Sequence, residues 1–248
     1  VKKGTGMGGL PFFAATLIGK EEIMCGRFTQ YRSREAYLEA LSNGIERDIA
    51  YDPEPLGRYN VAPGTRVPLL NERDATLHLD PVHWGYSPVW WHKQPLINAK
   101  SETAATGKMF KPLWRSGRAI VMADGWYEWK RDGSNKQPYF IYHQSGEPLF
   151  FAAIGKAPFN KEDEHEGFLI VTAASDKGLL DIHDRRPLVL TPEAALAWMS
   201  EKTTPEQASG IVKEGAVPID EFAWHPVSKA VGNIKNQRPG LIDEVETA

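Results

Sequence analysis

From Met24 onward, short apolar runs separated by turn residues dominate the middle of the chain. RVPLL (66–70), PVHWGY (81–86), RAIVMADGWYEWK (118–130), PYFIYH (138–143), PLFFAAIG (148–155) and FLIVTAA (168–174) are rich in β-branched and aromatic residues. Each is bounded by Gly, Pro, Asn or Asp, the punctuation of strands. RDGSNKQ (131–137) between two of them reads as a hairpin loop. Helical spacing is confined to a few segments. SREAYLEALSNG begins with Ser33 as cap, buries Tyr37, Leu38 and Leu41, and stops at Gly44. TPEAALAWMS opens with Thr191 and places Pro192 at the first helical position. TPEQASGIVKEG carries Thr204 and Gln207 at the spacing of a capping box. ETAATGKMFKPLW (102–114) is a further helix candidate, interrupted near Pro112. Strands grouped together with helices at the margins predict an α+β domain with an antiparallel or mixed sheet, not alternating βα units.

Composition narrows the function classes. The chain has 248 residues, 42% hydrophobic and 25% charged, enough for one large domain or two small ones. No repeat or long linker divides it from Met24 on, so a single domain is expected. A single cysteine excludes an internal disulfide and a multi-cysteine zinc site, and the 7 histidines show no HExxH spacing. The expectation is a reduced, cytoplasmic protein with no metal, no cofactor and no membrane span. A formal net charge of −3 argues against DNA binding through overall charge, so any nucleic-acid contact has to be local.

The one cysteine, Cys25, directly follows Met24 in EEIMCGRFTQ (21–30). The preceding residues 1–23 lack an A-x-A-like cleavage site, and a ribosome-binding sequence read as protein would yield a segment like GKEEI before Met24. Residues 1–23 are therefore expected to be a leader outside the mature chain, or a propeptide that is removed. A chain that begins at Cys25 carries an α-amine beside its thiol. An α-amine has a reference pKa of about 7.7–8.0, so a useful fraction is neutral and nucleophilic near pH 7. Such an amine forms a Schiff base with an aldehyde, and the neighbouring thiol can close it to a five-membered thiazolidine. An N-terminal-nucleophile hydrolase, with the amine as base for its own thiol, is the other chemistry open to it. A small buried residue with no chemical role is the third.

Other segments offer candidate partners. In WYEWK (126–130), strand alternation puts Trp126 and Glu128 on one face and Tyr127 and Trp129 on the other. A carboxylate beside a large ring is desolvated and suited to acid–base work near neutrality; a Glu paired with a surface cation is the plain alternative. DIHDRRP (181–187) sets His183 between aspartates and ahead of Arg185 and Arg186, either a proton-handling and phosphate-holding cluster or a loop held by ion pairs. Asn98 ends a short apolar strand in PLINAKSET (95–103), where an amide can orient an oxygen or amine or simply cap a turn. RYNVAPGT (58–65) reads as a Pro-Gly turn and nothing more. Basic residues interleave with aromatics at Arg27–Phe28, between Lys108 and Arg118, and between Lys229 and Arg238, while Trp90 and Trp91 share a Pro-bounded loop. Aromatic platforms beside basic groups are how proteins hold unpaired DNA; a solvated charged face is the ordinary alternative.

Together MCGRF, RYNVAPGT, PLINAKSETA, ADGWYEWK, FLIVTAAS, DIHDRRP and VGNIKNQ resemble the SRAP family (SOS-response-associated peptidase) from Met24 to about Gln237. The resemblance implies an SRAP-like catalytic domain over residues 24–240, with 241–248 as a C-terminal tail. It implies a single compact α+β domain with a barrel-like sheet core, acting as a monomer in the cytoplasm and joining the nucleoid when bound to DNA. It further implies an abasic-site sensor that binds single-stranded DNA and cross-links to it through a thiazolidine on Cys25, with self-processing that exposes the cysteine. Carried over by motif, Cys25 is the nucleophile, Asn98 positions it, Glu128 is the general acid/base, and His183 stands beside the sugar oxygen. Arg27, Trp90, Trp91, Lys100, Arg185 and Arg186 match DNA-contacting positions. Lys100 departs from the Arg that is common at that place, keeping the charge but losing a bidentate phosphate grip. The segment before Cys25 also departs, because as a peptide extension it blocks the amine. A cysteine peptidase with self-processing activity and a non-catalytic single-stranded-DNA-binding module remain as alternatives. Peptide cleavage that survives blocking of the α-amine distinguishes the first, and an inconsequential Cys25→Ala the second.

Overall fold

The computed structural model describes residues 25–42, 47–156 and 167–247. In chain order its elements are β1 (Phe28–Gln30), α1 (Arg34–Leu41), β2 (Arg47–Asp48), β3 (Arg58–Val61), β4 (Arg66–Arg73), β5 (Thr76–His83), β6 (Asn98–Lys100), α2 (Ser101–Ala104), α3 (Lys111–Ser116), β7 (Arg118–Ala123), β8 (Gly125–Asp132), β9 (Asn135–His143), β10 (Leu149–Lys156), β11 (Gly167–Ala174), α4 (Lys177–Leu180), β12 (Arg185–Pro187), β13 (Val189–Leu190), α5 (Pro192–Met199), α6 (Pro205–Glu214) and β14 (Phe222–Pro226). The expected leader, residues 1–23, lies outside the described residues.

Apolar residues occupy successive positions of β7 and β10, so both faces of these strands need cover. Phe150, Ala152 and Ile154 of β10, with Ile120 and Met122 of β7, face a cluster that includes Leu38 of α1 and Trp198 of α5. Their neighbours Phe151, Ala153, Val121 and Ala123 face the opposite way and meet Phe28, Val61 and Trp126. Tyr127 and Phe140 point to a third cluster with Val227, Val231 and Leu241. Helices thus cover one face of the central sheet, a second sheet covers the other, and the C-terminal turns cover the second sheet's outer face.

The second sheet has five strands in the order β14-β9-β8-β1-β3. The central sheet has nine, ordered β12-β11-β10-β7-β4-β5-β2, with β13 beside β10 and β6 beside β11. The pairs β2–β5 and β6–β11 are parallel and the others antiparallel, so the α+β class with a mixed sheet holds. The barrel-like closure does not: both sheets are open. The chain leaves the central sheet at the end of β7 and enters the other at β8, and β8 pairs with β1 and β9 rather than with β7. This crossing requires Gly125, whose added Cβ would lie 2.5 Å from the Phe140 ring and 2.6 Å from the Ile141 carbonyl.

Local expectations largely hold. Ser33, Thr191 and Thr204 cap α1, α5 and α6, and Thr204 with Gln207 completes a capping box. Asp132 pairs with Asn135 across a tight turn in which Gly133 has φ +57°. The last helical residue of α1 is Leu41; the Gly44 stop lies outside the described residues. The segment 102–114 is corrected: it forms two helices, α2 and α3, and Pro112 sits in the first turn of α3. A first-turn proline loses no intrahelical hydrogen bond, so Pro112 begins a helix instead of interrupting one.

Candidate active site

Antiparallel pairing sets the site. β1 lies against β8 with Phe28 opposite Trp126 and Thr29 opposite Gly125. Extending that register brings the residues before Phe28 alongside Glu128. The Cys25 main-chain nitrogen donates to Glu128 Oε1 at 3.1 Å. In a chain that begins at Cys25 this same atom is the α-amine. Cys25 has φ +44°, in the left-handed region that a non-glycine residue enters at a cost.

Cys25 and Glu128 are both buried. Burial pushes the Glu128 carboxyl up to about 8; hydrogen bonds from Cys25 oppose this and the Asp184 charge adds to it. Such a carboxyl exchanges a proton near neutrality. Burial, and then the Glu128 charge and hydrogen bond, raise the Cys25 thiol well above its ordinary value, against the lowering influence of Arg185 and Arg186. Its resting form at pH 7 is the neutral thiol. The alternation expected for WYEWK is present: Trp126 packs between the sheets, whereas Tyr127 joins the outer cluster.

His183 follows α4. Its Nδ1 accepts from the Arg185 amide at 3.1 Å and lies 3.2 Å from Asp184 Oδ1. The amide calls for a lone pair on that nitrogen and the carboxylate for a proton. In the neutral ring that accepts from Arg185, Nε2 carries the hydrogen. Trp126, Glu128, Ser175, His183, Arg185 and Arg186 line one cavity with room for about 10 Å³, the lower limit for a single water. Three of these residues carry buried donors with no partner: Trp126 Nε1, Arg185 Nε and Arg186 Nε. A larger cavity of about 490 Å³ is lined by Asn71, Arg115 and Met199 among others, and contains none of Cys25, Glu128 and His183. Size therefore does not locate the chemistry; the hydrogen-bonded Cys25–Glu128 pair does.

The other candidates are placed as follows. Asn98 lies opposite Ile170 in the β6–β11 pair, bonds weakly to the Ile170 carbonyl at 3.5 Å, and does not line the cavity of Glu128 and His183. Lys100 ends the same strand and is exposed. Trp90 is 60% exposed and meets Trp91 edge-on at 6.0 Å. The Trp91 indole donates to the Gln94 carbonyl, and Lys93 lies over its ring. Arg186 is half-buried with its guanidinium over Phe222. Arg27 and Arg185 are occupied within the protein. Arg27 donates to Asn60, Val231 and Gly232. Arg185 makes a two-point ion pair with Glu102 and bonds Thr172. Among the described residues no group of three or more His, Cys, Asp and Glu could hold a metal, and no helix is long and apolar enough to cross a membrane.

Residues passed over in the sequence complete the frame. RYNVAPGT is more than a turn. Buried Asn60 donates to the Val231, Asn233 and Asn236 carbonyls, and its backbone exchanges two bonds with the Gln237 side chain. It ties the VGNIKNQ turn to β3, and β3 pairs with β1. Asp124, at the sheet crossing, accepts from Tyr31 N and Tyr37 Oη and pairs with Arg32. A lone Asp inside an apolar run was a signal for it, since a buried charge needs partners. Glu102 had no comparable local signal.

The family model for SOS response associated peptidase (SRAP) matches residues 24–234. The chain is 65% identical over 222 residues to the abasic site processing protein YedK of Escherichia coli (strain K12), covering 90% of this chain and 100% of that protein. It is 30% identical to the abasic site processing protein YoqW of Bacillus subtilis (strain 168), covering 89% of this chain and 99% of that one. A crystal structure of a phage-related protein from Bordetella bronchiseptica superposes with a TM-score of 0.71 at 37% identity, covering 83% of this chain and 95% of the other. With its buried cysteine–carboxylate pair and these matches along nearly its whole length, the chain belongs to the SOS response associated peptidase family.

Proposed function

We propose that this protein senses abasic sites in single-stranded DNA and captures them as a covalent thiazolidine on Cys25. The observation that carries the reading is the 3.1 Å hydrogen bond from the Cys25 nitrogen to a buried Glu128 whose carboxyl titrates near 8. The abasic-site names of relatives such as YedK and YoqW support it. An abasic deoxyribose opens to an aldehyde at C1′: a protonated Glu128 can give its proton to the ring oxygen as the C1′–O4′ bond breaks, and the C1′ hydroxyl proton returns to the carboxylate as C1′=O forms. The neutral amine then attacks C1′ and water leaves, forming a C=N bond. The thiol adds across that bond: an S–C1′ bond forms, the π pair goes to nitrogen, and the thiol proton reaches nitrogen through Glu128. Aldehyde, amine and thiol become one ring and one water.

The neutral, buried thiol suits this order, with the amine attacking first. It suits a peptidase less well, because there the thiolate is the nucleophile. The reading requires a chain that begins at Cys25; a removable segment ahead of it gives self-processing a role in exposing the amine. The exposed Trp90 beside Trp91 and Lys93 offers a stacking platform for unpaired bases. An unpaired strand presents its sugar without the cost of unpairing.

The test is intact mass measurement after mixing protein that begins at Cys25 with a single-stranded oligonucleotide carrying one abasic site. The expected product has the summed mass less one water, and Cys25→Ala gives only an adduct that must be trapped by borohydride. A wild-type protein that yields no adduct removes the reading.

A further inference from the structure

We propose that Glu102 is a positioning residue for the ring-closing step, acting through Arg185 on the Cys25 sulfur and the His183 ring. The inference rests on the thiazolidine reading above. Arg185 is 8% exposed and fixed at both ends. Its Nη1 donates to Glu102 Oε1 at 2.6 Å and its Nη2 to Glu102 Oε2 at 2.9 Å. The same Nη2 donates to the Thr172 carbonyl at 2.7 Å. At the backbone end, the Arg185 amide holds His183 Nδ1 at 3.1 Å, and the Arg185 carbonyl lies 4.0 Å from Cys25 Sγ. One residue thus connects a carboxylate in α2 to both reacting neighbours.

A two-point pair fixes the guanidinium plane as well as its position, which a point charge does not. Glu102 stands two residues after Lys100, so the pair also joins the segment of Asn98 to the loop of His183. The hydrogen bond from Arg185 holds the Glu102 carboxyl below its ordinary value, against opposing desolvation. The Glu102 side chain is 51% exposed and the Arg185 side chain 10%, so the pair is only partly screened by solvent. The pair sets where the Arg185 carbonyl and the guanidinium charge, which lowers the thiol, stand relative to the sulfur. The affected step is sulfur addition, since Arg185 touches the thiol, whereas the Cys25 nitrogen is held by Glu128.

Glu102→Gln keeps shape and removes the charge. Protein beginning at Cys25 is mixed with the abasic oligonucleotide, and samples are divided between borohydride, which traps the imine, and direct denaturation, which leaves only the closed ring. Imine formation is expected within about twofold of wild type, with ring closure slowed about tenfold, the scale of a small misplacement of a reacting atom. DNA affinity should be unchanged. Arg185→Lys should slow the same step, and the double variant should be no slower than Arg185→Lys alone, because the two residues act as one unit. Ring closure at the wild-type rate in Glu102→Gln overturns the proposal, as do additive defects. Tighter DNA binding by Glu102→Gln also overturns it, showing that Glu102 withholds Arg185 from phosphate. A wild-type protein that forms neither imine nor ring overturns the functional reading itself, and this proposal with it.

Discussion

Replacing Glu128 with glutamine tests the acid–base assignment through the shape of the pH profile. The wild-type reaction needs a neutral amine and a protonated carboxyl together. Burial raises the Glu128 carboxyl to about 8 while the Cys25 nitrogen beside it is a neutral amide; an α-ammonium in that place lowers the carboxyl and is itself raised. The amine, with a reference value of about 7.7–8.0, titrates in the opposite sense. The two groups touch, so they titrate as a coupled pair. The outcome is a bell whose maximum lies midway between the two apparent values of the pair, falling about tenfold for each unit beyond them. The carboxamide of the variant cannot transfer a proton, so the alkaline limb disappears and the rate rises with the amine to a plateau. That plateau should lie about 10²–10⁴-fold below the wild-type maximum. The assay is single-turnover adduct formation from about pH 5.5 to 10, a range that brackets both groups, quantified on denaturing gels. An alkaline limb that persists in the variant, or a maximal rate within about threefold of wild type, refutes the argument.

The same carboxyl makes a stability prediction. A buried group whose folded value is raised from 4.5 to about 8 adds no cost below pH 4.5 and costs stability progressively up to pH 8. Glu128→Gln should therefore gain up to roughly 5 kcal/mol on wild type between about pH 4.5 and 9, read from urea unfolding; an unchanged difference contradicts it. Asn60→Ala should destabilise by about 1–3 kcal/mol and open residues 231–237 to proteolysis, because it removes the side-chain donor shared by three carbonyls of that turn, while the Val231 and Asn233 carbonyls keep Arg27 and the Asn236 amide. A wild-type digestion pattern would count against the latch. Trp90→Ala should weaken binding of intact single-stranded DNA by about 1–3 kcal/mol in fluorescence anisotropy while leaving the melting temperature unchanged, since the ring is 60% exposed. Thr204→Ala should cost about 1 kcal/mol by removing the α6 cap, with no effect on adduct formation.

Apolar runs of β-branched and aromatic residues bounded by turn residues, as in RAIVMADGWYEWK and PLFFAAIG, determined by themselves that these segments are strands, and the Ser, Thr and Pro signals determined where α1, α5 and α6 begin. Both follow from interactions within a few residues of chain. The Met-Cys-Gly context likewise marked Cys25 as the candidate nucleophile, because a terminal amine beside a thiol is a property of one residue. What only the tertiary structure decided is which distant groups meet. Cys25 and Glu128 are 103 positions apart, Asn60 and Asn236 are 176 apart, and Glu102 and Arg185 are 83 apart. No local preference records such a pairing. The same holds for Arg27 and Arg185: in one dimension Arg27 beside Phe28 reads as a DNA contact and Arg185 in DIHDRRP as a phosphate holder, and folding gives both guanidiniums protein partners that the sequence did not announce. The near-neutral titration of Glu128 is also a tertiary property. It arises because both sheets and the turn of Cys25 exclude water from one carboxylate, and burial depends on atoms contributed from distant parts of the chain.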